Sequence, residues 1–301
     1  MPELPDITVY IEALDRHATG RRIEDARIAS PFLVRTYDPP WRDAIGRTVR
    51  GFRRLGKRIV FELEDEMYLV LHLMIAGRLR WKKPGAKIPA RGGLATFTFD
   101  SGTLLLTEAG SKKRASLHVI RGEESLADHD PGGLDVFEAE LTEFREVLTQ
   151  RRHTLKRALT DPHILDGIGN AYSDEILHHA GLSPLRRTDQ LDEAQFARLF
   201  ESTRHILQHW IDRTREEVGD KFPDKVTAFR KGMAVHGRYE EPCPVCGTKV
   251  QRIAYASNET NYCPECQTGG KLLADRVLSR LMKDDWPRTL EELEERKRPP
   301  A

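Results

Sequence analysis

All four cysteines of this 301-residue chain fall in one short stretch, Cys243-Pro-Val-Cys246, sixteen residues, then Cys263-Pro-Glu-Cys266. Paired Cys-x-x-Cys knuckles at this spacing place four thiolates for one tetrahedral Zn²⁺. The competing reading, disulfides, requires an oxidising compartment. No basic and apolar leader segment precedes the body of the chain, so a secretory route is not expected. Four thiolates close the coordination shell, so the zinc is structural. It holds a C-terminal β-hairpin too small to own a core. Zinc ribbons occur in many functions, so the knuckles define a module and leave the activity open.

The other end of the chain carries chemistry. Met1-Pro2-Glu3-Leu4-Pro5-Asp6-Ile7 opens a stretch in which Ile7, Tyr10, Ile11 and Leu14 mark one apolar helix face over residues 5–16. Pro5 suits a first helical turn, and Glu3 and Asp6 suit the positive end of the helix dipole. Pro2 is small enough to favour removal of Met1, which leaves a secondary amine at the terminus. Such an amine has a pKa of roughly 8 and is partly unprotonated at neutral pH. Beside the Glu3 carboxylate it forms a nucleophile next to an acid/base. Pro2 and Pro5 could equally do no more than set φ at a helix entrance.

Six strands follow, at Arg58–Leu63, Tyr68–Leu73, Gly77–Trp81, Ala95–Phe99, Thr103–Thr107 and Ser116–Ile120, with turns at 64–66 and 100–102. Short, closely spaced strands predict an antiparallel sandwich. Residues 83–94 read as a mobile loop. Arg47, Arg50, Arg53, Arg54, Lys57 and Arg58 occur with no acid between them, and Lys112-Lys113-Arg114 form a second cluster. Net charge is only +1, so composition does not announce nucleic acid, but two basic clusters on one domain suit phosphates. No apolar run is long enough to span a membrane, and a cytoplasmic protein is expected.

Turn chemistry at 125–135 marks a domain boundary, and helical periodicity follows, clearest over 192–215. Between helices lies Gly167-Ile-Gly169-Asn170, with Asn170 expected as the N-cap of a helix that closes at Gly181. Glycines before a helix start let a phosphate approach backbone N–H groups, and Arg151, Arg152 and Lys156 lie just upstream. Leu273, Val277 and Leu281 mark one face of a C-terminal extension.

Taken together, Met1-Pro2-Glu3-Leu4-Pro5, Lys57 before a strand, His72-Leu73, Gly167-Ile-Gly169-Asn170-Ala-Tyr-Ser-Asp-Glu175, Val235-His236-Gly237-Arg238 and the two knuckles ending at Gln267 resemble the Fpg/Nei family of DNA glycosylase/AP lyases. The resemblance runs nearly from Met1 to Gln267. It implies an α+β multidomain fold: an N-terminal antiparallel β-sandwich with an N-terminal helix (1–128), a helical helix-two-turn-helix domain (136–232), a four-cysteine zinc-finger hairpin (233–270) and an extension (271–301). By the same resemblance, Pro2 is the Schiff-base nucleophile and Glu3 the acid/base. Lys57 and Asn170 hold phosphates around a flipped nucleotide, and Glu175 helps order that site. Arg54, Arg151 and Lys156 join the expected DNA contacts. The implied partner is damaged or abasic DNA, bound by a bacterial monomer acting at the nucleoid.

Three departures separate the chain from the family pattern. Asn258, followed by Glu259, stands where the hairpin arginine is usual, with Arg252 as a candidate substitute. Ile75 falls near the methionine that fills the vacated stack, and the later loop Glu108–Arg114 has no Arg-x-Phe wedge. Asp6 replaces a common glutamate. These features suit a divergent, Nei-like member that acts on single-stranded, mismatched or disrupted DNA. A catalytically weak damage-binding protein is the alternative, and an unrelated zinc-ribbon protein explains only the cysteines.

Overall fold

The computed structural model describes all residues except 111, 225, 228, 256–257, 275–279, 283–284 and 298–301. Val277 of the expected C-terminal face therefore lies outside the described residues. The chain forms two compact units, residues 1–133 with 208–228, and residues 134–207 with 229–301.

In the first unit, helix α1 (Leu4–Ala18) buries Ile7, Tyr10, Leu14 and Ala18 completely, as its apolar spacing dictates. Eight strands follow: β1 (Asp25–Ile28), β2 (Val49–Leu55), β3 (Arg58–Leu63), β4 (Met67–His72), β5 (Gly77–Lys82), β6 (Gly93–Phe99), β7 (Gly102–Glu108) and β8 (Ser116–Arg121). They make two four-stranded antiparallel sheets, ordered β1-β6-β7-β5 and β2-β3-β4-β8. Ile59, Phe61, Leu69, Leu71, Leu117 and Val119 from one sheet meet Leu79, Phe97, Phe99, Leu104 and Leu106 from the other in a single core, with α1 and Phe222 against it. The sandwich expected from strand spacing is therefore present.

Two strands are not evident from the sequence, β1 and β2, and both are sheet edges. Edge position alone does not hide them, since the edges β5 and β8 are expected from the sequence; β1 is only four residues long, and β2 has one buried residue among seven. In β2 the run of Arg50, Arg53 and Arg54 hides a strand. The expected turn region at 125–135 also begins inside a short helix, α2 (Glu123–Ala127).

The β4–β5 connection is unusually tight. Met74 adopts φ +53°, and Gly77 N–H donates to the Leu73 carbonyl at 2.9 Å. A Cβ on Gly77 would sit 2.2 Å from that same carbonyl oxygen. Gly77→Ala is expected to lower stability by about 1–3 kcal/mol, because backbone rather than a pliant side chain must move. Urea titration by fluorescence would show the midpoint falling, and an unchanged midpoint would contradict the contact.

The second unit contains α3 (Leu141–Thr149), α4 (Leu155–Thr160), α5 (Asn170–His179) and α6 (Glu193–Val218) as far as Leu207. It continues through hairpin β9 (Gln251–Tyr255) and β10 (Asn258–Tyr262), then α7 (Pro264–Thr268) and α8 (Leu290–Lys297). The C-terminal extension is tied to the hairpin module. Leu273 N–H donates to the Tyr262 hydroxyl at 2.7 Å, Leu272 N–H to the Arg288 carbonyl at 2.9 Å, and Lys249 pairs with Glu294. Among the described residues, no helix is long and apolar enough to cross a membrane.

Candidate active site

The start of α1 holds the expected nucleophile and acid. Pro2 is buried, and Glu3 and Asp6 are only 2% and 1% exposed. The Asp6 carboxylate accepts from the Glu3 N–H at 3.0 Å, which fixes the first turn around the candidate acid. Burial is the main cause that holds the Met1 amine below its ordinary pKa. Glu3 opposes that shift and Arg78 reinforces it, with smaller contributions from Asp6 upward and Lys57 downward. An amine in these surroundings is biased toward its neutral, nucleophilic form.

Lys57 stands at the tip of the β2–β3 hairpin. Leu55 pairs with Arg58, so Gly56 and Lys57 make a two-residue turn, with Gly56 at φ +64°. The other cations of the expected phosphate cluster are largely committed elsewhere. Arg47 pairs with Asp65, Arg50 with Glu64 at 3.0 Å, and Arg53 with both Glu62 and Glu123 at 2.9 and 2.6 Å. Arg54 donates to the Gly56 carbonyl at 3.2 Å, bracing the Lys57 turn. Across the ladder from Arg58 lies His72. Burial, then the charges of Arg58 and Lys57, bring its pKa down to about 4, so the ring is neutral at physiological pH.

Ile75 projects from the tight β4–β5 turn and is 59% exposed. The later loop is organised around Glu108, a buried carboxylate that accepts from Arg114 N–H at 2.9 Å and Ala115 N–H at 3.2 Å. Lys113 donates to the Glu108 and Gly110 carbonyls. The loop therefore wraps its own acid.

In the second unit, Gly169 is the N-cap of α5 and Asn170 is its first residue. This corrects the expected cap. The Asn170 side chain is turned to the hairpin, and its Nδ2 donates to the Glu259 carbonyl at 2.9 Å. Further along α5, Glu175 accepts three backbone N–H bonds, from Ala234 at 2.7 Å and from Val235 and His236 at 2.9 Å. Burial raises the Glu175 pKa, against the opposing pull of those donors. Asp174, completely buried at its side chain, accepts from Lys156 Nζ and lies 2.8 Å from His236 Nδ1.

The four cysteine sulfurs all lie within 4.8 Å of one another, with Cys243 and Cys266 at 3.9 Å and Cys246 and Cys263 at 3.4 Å. Tetrahedral zinc with bonds of about 2.3 Å needs sulfurs about 3.8 Å apart, so the set fits one structural Zn²⁺. Cys243 N–H donates to the Thr248 carbonyl and Gly247 N–H to the Cys243 carbonyl, both at 2.9 Å, closing the first knuckle. A closed thiolate shell leaves no position for substrate, so the metal shapes the hairpin and takes no part in bond breaking.

Three family models match the chain in order: the formamidopyrimidine-DNA glycosylase N-terminal domain over residues 1–111, its H2TH domain over 133–221, and the zinc finger found in FPG and IleRS over 240–269. A formamidopyrimidine-DNA glycosylase of Desulfitobacterium hafniense is 31% identical over 281 residues, covering 89% of this chain and all of that one. The chain belongs to the Fpg/Nei family. An uncharacterized formamidopyrimidine-DNA glycosylase-like protein of Mycobacterium tuberculosis is 40% identical over 151 residues, half of this chain and 94% of that one. A Lactococcus lactis Fpg in complex with DNA containing an abasic site superposes with a TM-score of 0.78 at 26% identity, over 88% of this chain and 99% of that one. Membership makes this protein a DNA glycosylase of base excision repair with one structural zinc.

Within the Fpg/Nei frame, several expected DNA contacts have internal work instead. Lys156 is only 13% exposed at its side chain and donates to the Asn170 carbonyl at 2.7 Å, Ser173 Oγ at 2.8 Å and Asp174. Its three N–H bonds are thus used inside the unit. It props the start of α5. Glu175 likewise acts on the 234–236 backbone. Arg252, 48% exposed at its side chain, stacks over Tyr239 at 4.3 Å and pairs with Glu259 at 3.3 Å. Asn258 opens β10 and is exposed, and Arg151 is exposed. Residues that sequence reasoning misses include Arg78, Asp174 and His178. Only Asp174, inside the quoted motif, carries any signal, because a buried carboxylate announces itself through partners distant in sequence.

Proposed function

We propose that this glycosylase is bifunctional, excising the base through Pro2 and then cleaving the strand. The observation that carries the reading is Pro2, buried at the chain start, directly beside the buried Glu3, whose N–H is fixed by the Asp6 carboxylate. Once Met1 is removed, the Pro2 nitrogen lone pair forms the bond to C1′ as the glycosidic pair leaves with the base. The ammonium so formed gives its N–H proton to the departing base, and the freed pair forms the C1′=N bond as Glu3 donates a proton to O4′ and the C1′–O4′ bond breaks, leaving a ring-opened iminium. That cation is the electron sink for loss of the C2′ proton and expulsion of the 3′-phosphate. Lys57 and Asn170 grip phosphates on the flipped nucleotide, a contact that any enzyme acting on an extruded base requires. The self-wrapped Glu108 loop and the aliphatic Ile75 support a preference for single-stranded or mismatched DNA. They also support a Nei-like rather than strictly 8-oxoguanine role. The named relatives are bacterial, and we place the protein as a monomer in the bacterial cytoplasm, acting on nucleoid DNA.

Borohydride trapping on abasic-site DNA, single- and double-stranded, tests this reading. A cross-linked peptide that begins at Pro2 is the expected product. Arg78 disfavours a protonated amine at the chain start, so Arg78→Ala should move the acid limb of trapping upward in pH. The second reading, a damage-binding protein, is favoured by the hairpin end, where Asn258 replaces a cation and Arg252 is paired. Tight binding without trapping, with Met1 shown to be absent, would decide for it.

A further inference from the structure

Helix α5 does more than present Asn170. His178, in its last turn, is 7% exposed, and its Nε2 lies 3.2 Å from Cys243 Sγ. A zinc-bound thiolate carries no proton, so the imidazole must be the donor. This sets the ring as the Nε2–H tautomer, with the N–H aimed at a ligand sulfur. Such outer-shell donors withdraw charge from the thiolate and fix its direction, and both effects govern how firmly the metal is held.

The same helix touches each part of the zinc module. At its first residue, Asn170 Nδ2 holds the Glu259 carbonyl of β10. In its middle, Glu175 and Asp174 hold residues 234–236, the segment that leads into the first knuckle. At its end, His178 meets Cys243. Just beyond, Gln267 Nε2 donates to the Leu182 carbonyl at 2.9 Å, while its Oε1 accepts from Cys263 N–H at 2.8 Å. A short rigid helix fastened at both ends transmits a displacement at one end to the other.

We infer that His178 is a positioning residue for the zinc centre, donating Nε2–H to the Cys243 thiolate and coupling metal retention to the placement of Asn170. The inference concerns zinc and its module and does not depend on the Schiff-base reading. His178→Phe keeps a planar ring of similar size and removes the donor. His178→Gln retains an N–H that reaches the same direction.

The test uses the full chain, with zinc release to a chromophoric chelator measured well below the melting temperature. His178→Phe should release zinc about 10- to 100-fold faster, the range typical of a lost outer-shell partner, and His178→Gln should recover much of the difference. Cobalt substitution supplies a second readout that folding defects alone do not move. Loss of the N–H···S bond raises the sulfur donor orbital, so the thiolate-to-cobalt charge-transfer band should shift to longer wavelength in His178→Phe and stay near its native position in His178→Gln. If His178→Phe does not fold, the cobalt spectrum and release rate of His178→Gln are compared with those of His178→Asn, whose shorter amide cannot reach the sulfur. Native release rates and an unshifted band in the donor-less variant, or identical behaviour of the donor-bearing and donor-less variants, would overturn the assignment.

Discussion

Pro2→Glu is expected to abolish covalent trapping on abasic-site DNA and to lower strand cleavage by at least about 10³-fold, the scale on which removal of a nucleophile acts. A bulky side chain at position 2 retains Met1, so the ring amine never becomes a terminus. The amine that remains is primary, displaced by one residue, and no longer adjacent to Glu3. Glu3→Gln is the companion change. It preserves shape in a site that is 2% exposed and removes the proton that opens the sugar ring, at an expected cost of about 10²- to 10⁴-fold. Binding of DNA with a reduced abasic analogue should survive both changes, because Lys57 and Asn170 are both retained. Undiminished trapping in Pro2→Glu, or an unchanged rate in Glu3→Gln, would remove the amine-and-acid pair from the mechanism.

The second large effect concerns the metal. Cys263→Ser with Cys266→Ser leaves two thiolates, too few to close a tetrahedral shell. Structural zinc of this kind contributes about 10–16 kcal/mol of apparent binding free energy, most of which is folding free energy of the module. The hairpin's own apolar core is small. Its own buried cluster is Val235, Cys243, Val250 and Cys263, two of them zinc ligands. The variant should therefore lose bound zinc and lose amide protection across 240–269, while the sandwich core built on Phe61, Phe97 and Leu104 keeps its protection. Since Asn170 leans on the Glu259 carbonyl, DNA affinity should also fall. Loss of one charge-assisted contact of about 1.5–3 kcal/mol corresponds to about 10- to 100-fold. Hydrogen exchange with metal analysis reads both results. Native protection of the hairpin without zinc would show that the metal is dispensable.

Much of this protein is legible in the order of its residues, and two local spacings carry most of it. The Cys-x-x-Cys knuckles are closed by neighbours within a few residues, and the helical period of α1 is written in Ile7, Tyr10, Ile11 and Leu14. The central strands β3, β4, β6 and β7 are equally clear, because burial on their faces demands a run of Val, Ile, Leu and Phe. Pro2 and Glu3 are readable as chemistry because they are adjacent in the chain.

What tertiary structure decided was the employment of charge. Lys156 and Arg252 look like phosphate ligands in the sequence because a cation there has no visible partner. Folding brings Lys156 to Asp174 and Arg252 to Tyr239 and Glu259. Asp174 and His236 are 62 positions apart, and His178 and Cys243 are 65 apart. No local period records such pairs. The short β1 and the arginine-rich β2 carry too little apolar alternation to be read as strands, and pairing with β6 and β3 defines them. Sequence by itself determined the local elements, the zinc ligands and the candidate amine-and-acid pair. Only the tertiary structure decided which charged groups are held inside and which remain to meet DNA, because a buried charge must be paired while an exposed one need not be.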